Sequence, residues 1–207
     1  MKELFTEIEH VLPDGGAWCD LHKACTLAAM IVADRPLVVV EIGVWQGGSL
    51  VPMLLALRHA GYGGRAVAID AWENTASLAG QVAEANRKWW GQVDHEAAYQ
   101  KFLARLDALE LRSLCEIVRA SSQVAAVPHG IGLLHVDGNH GEQAVADIAR
   151  FAPSVRLGGT LVLDDLHWTG GAVTRAYALA ERLGFCELYP LGTGCVMRRM
   201  KMLEVNT

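Results

Sequence analysis

Two apolar runs of the chain end in acids: Leu133-Leu-His-Val-Asp137-Gly-Asn-His140 and Leu161-Val-Leu-Asp164-Asp165-Leu-His167-Trp168. Such runs suit strands buried in a sheet, and the acids then fall where the strands end and a cleft can open. If the two strands share a sheet, Asp137, Asp164 and Asp165 meet, and three carboxylates that close together must be protonated or share a cation. A hard divalent ion such as magnesium prefers oxygen ligands, so these three acids are the expected metal ligands. His140, three residues beyond Asp137, is placed to face the same cleft, and an imidazole titrates in the range useful to a general base. His167 is the competing base. The plainer alternative makes both histidines surface or capping groups and Asp164-Asp165 a solvated turn.

A second constellation is Glu41-Ile-Gly43-Val-Trp-Gln-Gly47-Gly-Ser49, which leaves an apolar run and enters a helical pattern. Gly43 and Gly47 would let the backbone approach a ligand closely. The spacing is not GxGxxG, and the turn opens with an acid where a pyrophosphate-binding loop prefers uncharged donors. An acid there suits a cationic ligand. S-adenosylmethionine carries an amino group and a sulfonium, which Glu41 could meet, while Ser49 could hydrogen-bond its carboxylate. Asp70 closes the next apolar run, where the ribose hydroxyls of a bound nucleoside would lie. A tight turn in another doubly wound protein, and a nicotinamide enzyme with its own ribose-binding acid, are the alternatives.

The elements that must position these residues are legible in the hydrophobic pattern. Strands are expected at Leu37–Val40, Ala66–Asp70, Leu114–Val118, Ile131–Asp137, Thr160–Asp164, Phe185–Tyr189 and Cys195–Arg198. Helices are expected at Leu21–Ala33, with Asp20 as its cap, at Ser49–Ala60, at Glu142–Val155 and at Ala172–Leu183. Alternating strands and crossover helices make an α/β fold with a largely parallel sheet, whose ligands bind beyond the carboxyl ends of the strands. Residues 71–111 break the rhythm, being too long for a simple connection, and are read as a helical insertion or lid over the site. Trp72, Trp89 and Trp90 in it are candidate substrate contacts, although packing is the commoner role of such side chains.

At 207 residues and 52% hydrophobic content, the chain is expected to form a single domain. Acidic residues outnumber basic ones, 23 to 18, so no nucleic-acid backbone is expected as a partner. The amino-terminal residues show no apolar core of signal-peptide length and no later stretch would span a bilayer, so a soluble, cytoplasmic protein without a membrane partner is expected. The five cysteines are widely spaced, without a zinc-ligand pattern, and are read as reduced thiols.

Taken together, these residues resemble the class I S-adenosylmethionine-dependent methyltransferases, with the 41–49 turn similar to their first motif. Asp137, His140 and Asp164-Asp165 are similar to the metal-dependent catechol and caffeoyl-coenzyme A O-methyltransferases, where the residue three after the first acid is usually a lysine. Gly16-Ala-Trp-Cys19, the turn, Asn86-Arg-Lys-Trp-Trp90, Asp137-Gly-Asn-His140 and Asp164-Asp165-Leu-His-Trp168 resemble a bacterial group related to macrolide-sugar O-methyltransferases and cephalosporin-hydroxylase-like proteins. The resemblance implies a Rossmann-like sheet of seven strands with helices on both faces and the last strand antiparallel. It implies Glu41, Gly43 and Ser49 around the methionine portion of the cofactor, Asp70 at the ribose and Ser121 or Ser122 at the adenine; Gly47 and Asp137 are also expected at the cofactor, Asp137 serving as a metal ligand as well.

The expected function is methyl transfer to a hydroxyl of a small-molecule acceptor, with a magnesium-type ion at Asp137, Asp164 and Asp165, His140 as base, and His167 and Trp168 near the acceptor. A non-catalytic module that keeps the cofactor site is the alternative, and assembly into a homo-oligomer is compatible with either.

Overall fold

The computed structural model describes residues 1–12, 18–80, 83–168 and 171–201; Gly16 and Ala17 of the first motif above lie outside them. The strands are β1 (Val38–Ile42), β2 (Arg65–Asp70), β3 (Cys115–Arg119), β4 (Ile131–Val136), β5 (Val155–Leu163), β6 (Phe185–Leu191) and β7 (Gly194–Arg199). They form one sheet in the order β3-β2-β1-β4-β5-β7-β6. The first five pair in parallel, and β7 runs antiparallel to both β5 and β6. All seven expected strands are present, β5 beginning five residues earlier than its apolar pattern suggests.

Chain chemistry sets where the helices begin and end. In α2 (Leu21–Asp34), Asp20 accepts from the Lys23 amide at 2.7 Å, and the helix stops at Arg35, in a left-handed conformation just before Pro36. Helix α3 (Leu50–Ala60) ends at Gly61 with φ +59°. Helices α1 (Lys2–Val11), which the sequence reading does not anticipate, α2 and α3 cover one face; α7 (Glu142–Phe151) and α8 (Val173–Arg182) cover the other. Strand residues alternate between the two cores: Val39, Ala66, Ala68 and Leu133 face the first, and Val40, Ile42, Val67 and Leu134 the second.

The insertion is three helices, α4 (Asn74–Leu78), α5 (Glu84–Gln92) and α6 (His95–Ala108). Only part of it acts as a cover. No residue of α4 or α5 is buried, whereas Ala98, Phe102 and Leu106 of α6 are in the first core. The expectation of a lid through residue 111 is therefore corrected: α6 is the crossover helix between β2 and β3, because its apolar face has the sheet to pack on. No helix among the described residues is long and apolar enough to cross a membrane.

This division makes a prediction. Phe102→Ala should lower the unfolding free energy by about 3–5 kcal/mol in urea titrations, the cost of a large core cavity. A helix that merely lay over the site would lose under about 1 kcal/mol.

Candidate active site

The strand order reverses between β1 and β4, and a cleft of about 780 Å³ opens there, at the carboxyl ends of β1, β2, β4 and β5. Gly43 forms its floor with φ +86°; a Cβ there would lie 2.3 Å from the carbonyl oxygen of Asp137, so only glycine lets the two strand ends come this close. Asp70 braces the turn. One carboxylate oxygen accepts from the amides of Val44 and Trp45, each at 2.9 Å, and the other from the Trp72 amide at 2.7 Å. Burial raises the Asp70 pKa, and the three amides oppose that rise. Trp45 sits at φ +52°, an unfavourable conformation for a bulky residue that the Asp70 bond to its amide helps to hold.

Gly43, Ser49, Asp70, Ser121, Ser122 and Asp137 all line this cleft, as expected of cofactor-binding residues. Glu41 and Gly47 do not. Glu41 is wholly buried beneath the floor, where it accepts from the Ser49 hydroxyl and meets His135 Nδ1 at 2.9 Å. The period of the strand explains this: Glu41 shares the inner face with Val39, not the end of the strand with Gly43. Gly47 is packed on Phe102, whose ring a Cβ would meet at 2.8 Å, so it serves the closeness of α6 and the turn. Arg105 of α6 fixes the same turn by donating to the Gln46 carbonyl at 2.7 Å.

The acids converge only in part. Asp137 and Asp164 face each other, with His135 Nε2 at 4.0 and 3.7 Å from their nearest oxygens, and one ligand atom from each of the three residues can be chosen so that all lie within 4.8 Å of one another. Among them reaches the side chain of Lys23, from α2, whose Nζ donates to Asp137 at 3.0 Å and also to Asp164. Burial disfavours the Lys23 charge, but Asp137 and Asp164 outweigh it and hold the ammonium above its ordinary range. In the pair of acids, burial and the neighbouring Asp164 raise Asp137. Burial also acts to raise Asp164, but contact with His135 and Lys23 brings it below the ordinary range.

Asp165 belongs to a different group. Its backbone is left-handed, φ +51°, and its carboxylate lies 3.1 Å from His140 Nε2 while accepting from the Thr193 hydroxyl at 2.7 Å. The expected triad of metal ligands is thus corrected to a pair of acids around Lys23 and a separate His140–Asp165 pair. The residues present do not fit a divalent ion, because an ammonium is already within hydrogen-bonding reach of both acids and the third is engaged elsewhere. Burial lowers the His140 pKa against the opposing pull of Asp165 and Asp164, so its imidazole is neutral at pH 7. The Asp165 carboxylate beside Nε2 leaves Nδ1 as the ring nitrogen not engaged by that pair.

The aromatic residues separate likewise. Trp89 and Trp90 line the cleft, in a cluster with Trp18 and Trp45 whose ring centroids are 4.8–6.3 Å apart. Trp168 lines it too, 4.5 Å from the His140 ring. Trp72 is instead a core residue, 2% exposed and stacked on Phe102, with its indole N–H given to the Trp45 carbonyl. His167 is exposed on the turn after β5 and does not line the cleft. Neither the expected substrate contact at Trp72 nor the competing base at His167 has access to the site.

A sequence profile for a family described as a methyltransferase domain matches residues 40–166, more than half of the chain. The chain belongs to this methyltransferase family. No curated protein matches the methyltransferase in sequence. Among solved structures it is similar to the O-methyltransferase NovP, with a TM-score of 0.69 at 16% identity over 87% of this chain and 81% of that one. It is also similar to the O-methyltransferase from Bacillus cereus in complex with SAH, with a TM-score of 0.64 at 14% identity over 96% and 91% of the two chains. For TomG from Streptomyces achromogenes, in complex with SAM, the TM-score is 0.63 at 16% identity over 96% and 90%. These likenesses establish that the methyltransferase has the class I fold.

Two residues of the methyltransferase site escape the sequence reading. Lys23 stands on the apolar stripe that Leu27 and Ile31 continue, and His135 stands inside a buried strand. A polar residue in an apolar pattern is the available signal for both. His135 gives a test. Burial and Lys23 act to lower its pKa, but Asp164 and Glu41 prevail and lift it from 6.5 to about 9. Its stabilisation is then complete below about pH 6.5 and is lost as the pH rises through about 9. Urea unfolding of the methyltransferase should show stability falling across that window, and His135→Gln should flatten the fall; an unchanged slope would contradict a protonated His135.

Proposed function

We propose that the chain transfers the methyl group of S-adenosylmethionine to a hydroxyl oxygen of a small-molecule acceptor, with His140 as general base. The observation that carries this reading is the His140–Asp165 pair, 3.1 Å apart, in the same cleft as the Gly43 turn and Asp70. The cleft's volume of about 780 Å³ suits a nucleoside cofactor together with a small acceptor. SAH and SAM in the similar Bacillus cereus and TomG structures support the choice of cofactor.

S-adenosylmethionine, when bound, supplies an electrophilic methyl group on its sulfonium. The chain contributes alignment and proton removal. The backbone around Gly43 and the Ser49 hydroxyl are assigned to the methionine portion, the edge of Asp70 to the ribose, and Ser121 or Ser122 to the adenine. Asp137 borders both the Gly43 turn and the acceptor side. His140 takes the hydroxyl proton on Nδ1 as the oxygen becomes the nucleophile. Asp165, itself held by Thr193, fixes the ring and favours the imidazolium that results. Trp168 packs on the His140 ring and limits water there, and Trp89 and Trp90 present apolar faces to the acceptor.

Two measurements test this reading. In calorimetry with S-adenosylhomocysteine, Asp70→Ala should lose about tenfold or more in affinity, because both the brace of the turn and a charged acceptor disappear. Unchanged affinity would sink the cofactor placement. In turnover assays, His140→Ala should lose ~10² to 10⁴ in kcat while retaining S-adenosylhomocysteine. The wild-type rate should rise with pH through a pKa below 6.5 and then level off, since only neutral His140 accepts a proton. Wild-type turnover by the variant would remove His140 from the mechanism.

A further inference from the structure

Lys23 has no part in the assignments above, yet its ammonium pairs with two acids of the cleft at once. It comes from the first turn of α2, 114 residues before Asp137 and 141 before Asp164 in sequence, and is 6% exposed. Burying an ammonium is costly unless it is paired and hydrogen-bonded, and here two carboxylates from two neighbouring strand ends do both. Those carboxylates, with His135 Nε2, are a set of donors that would otherwise attract a divalent cation. The third acid that could complete an oxygen-rich shell, Asp165, is turned to His140 and Thr193.

We propose that Lys23 takes, with its ammonium, the place that a divalent cation would occupy between Asp137 and Asp164, so that this chain needs no metal for methyl transfer. The proposal rests on the methyltransferase reading above and adds to it the identity of the cation. Lys23 is a positioning residue: it neutralises two acids that would repel each other and keeps Asp137 against the Gly43 turn. Releasing Asp165 from a metal shell is what lets it orient His140. The two observations, an ammonium between one pair of acids and a histidine on the third, are independent and lead to the same conclusion.

Metal uptake tests this directly. Mn²⁺ is titrated into the purified, chelator-treated full chain and into Lys23→Met, and free Mn²⁺ is followed by electron paramagnetic resonance; calorimetry with S-adenosylhomocysteine runs alongside. The unmodified chain should show no saturable Mn²⁺ binding, and chelation should change neither its turnover nor its S-adenosylhomocysteine affinity. Lys23→Met leaves Asp137 and Asp164 without the ammonium between them, His135 can join them as a ligand on giving up its proton, and the variant should bind one Mn²⁺ at least about tenfold more tightly than the unmodified chain. One Mn²⁺ bound saturably by the unmodified chain overturns the proposal, and that measurement decides the matter even if Lys23→Met does not fold. Turnover lost on chelation and restored by Mn²⁺ overturns it as well. Failure of S-adenosylhomocysteine to bind would instead overturn the proposed function, whatever the metal result.

Discussion

A chain of buried charges beneath the cleft holds the site together. Ser49 bonds Glu41, Glu41 meets His135, His135 faces Asp164 and Asp137, and Lys23 closes the series from the opposite side. Each link joins a different element: the start of α3, β1, β4, the ends of β4 and β5, and α2. Removing one partner from such a buried group leaves an uncompensated charge, at a cost of about 3–5 kcal/mol. The cleft therefore depends on polar contacts inside what is otherwise an apolar core, and helix α2 is bound to the strand ends by charge as well as by packing.

Above that chain, the turn after β1 is under local strain that its surroundings offset. Gly43 and Trp45 both have positive φ, and Asp70 compensates by accepting three backbone amides. The same acid thus shapes the floor and borders the ligand. Arg105 and Phe102 press on the turn from α6, so part of the insertion stabilises the site from behind while α4 and α5 lie over its mouth. Asn139 joins these layers, donating to the Ala76 carbonyl at 3.1 Å and also to the Ala79 carbonyl, and so tying the α4 region to the loop that carries His140.

The contrast between Asp164 and Asp165 shows how one backbone angle divides chemical labour. The two are adjacent, yet with Asp165 in the left-handed conformation the carboxylates have different charged partners, Lys23 and His135 for one and His140 for the other, while the Thr193 hydroxyl lies 3.3 Å from the first and 2.7 Å from the second. Aspartate tolerates that conformation better than most residues.

The sequence by itself determined the elements and the end of the sheet at which chemistry gathers. Apolar runs of strand length, separated by helical patterns and closed by acids, carry that information locally, and all seven strands and the cleft-lining positions Gly43, Asp70, Asp137, His140 and Trp168 followed from it. Only the tertiary structure decided partners. The strand period puts Glu41 on the face of Val39, but that this face is closed over it, with the Ser49 hydroxyl and His135 as its partners, depends on elements far away in sequence. Trp72 and Trp90 are both tryptophans of the insertion, but the ring of one lies over α6 and the other borders the cleft. Lys23 reaches acids more than a hundred residues away because the first turn of α2 lies beside the ends of β4 and β5, and no local pattern encodes that placement. Hydrophobic periodicity is a property of neighbouring residues, whereas charge pairing is settled by which distant groups share a low-dielectric space.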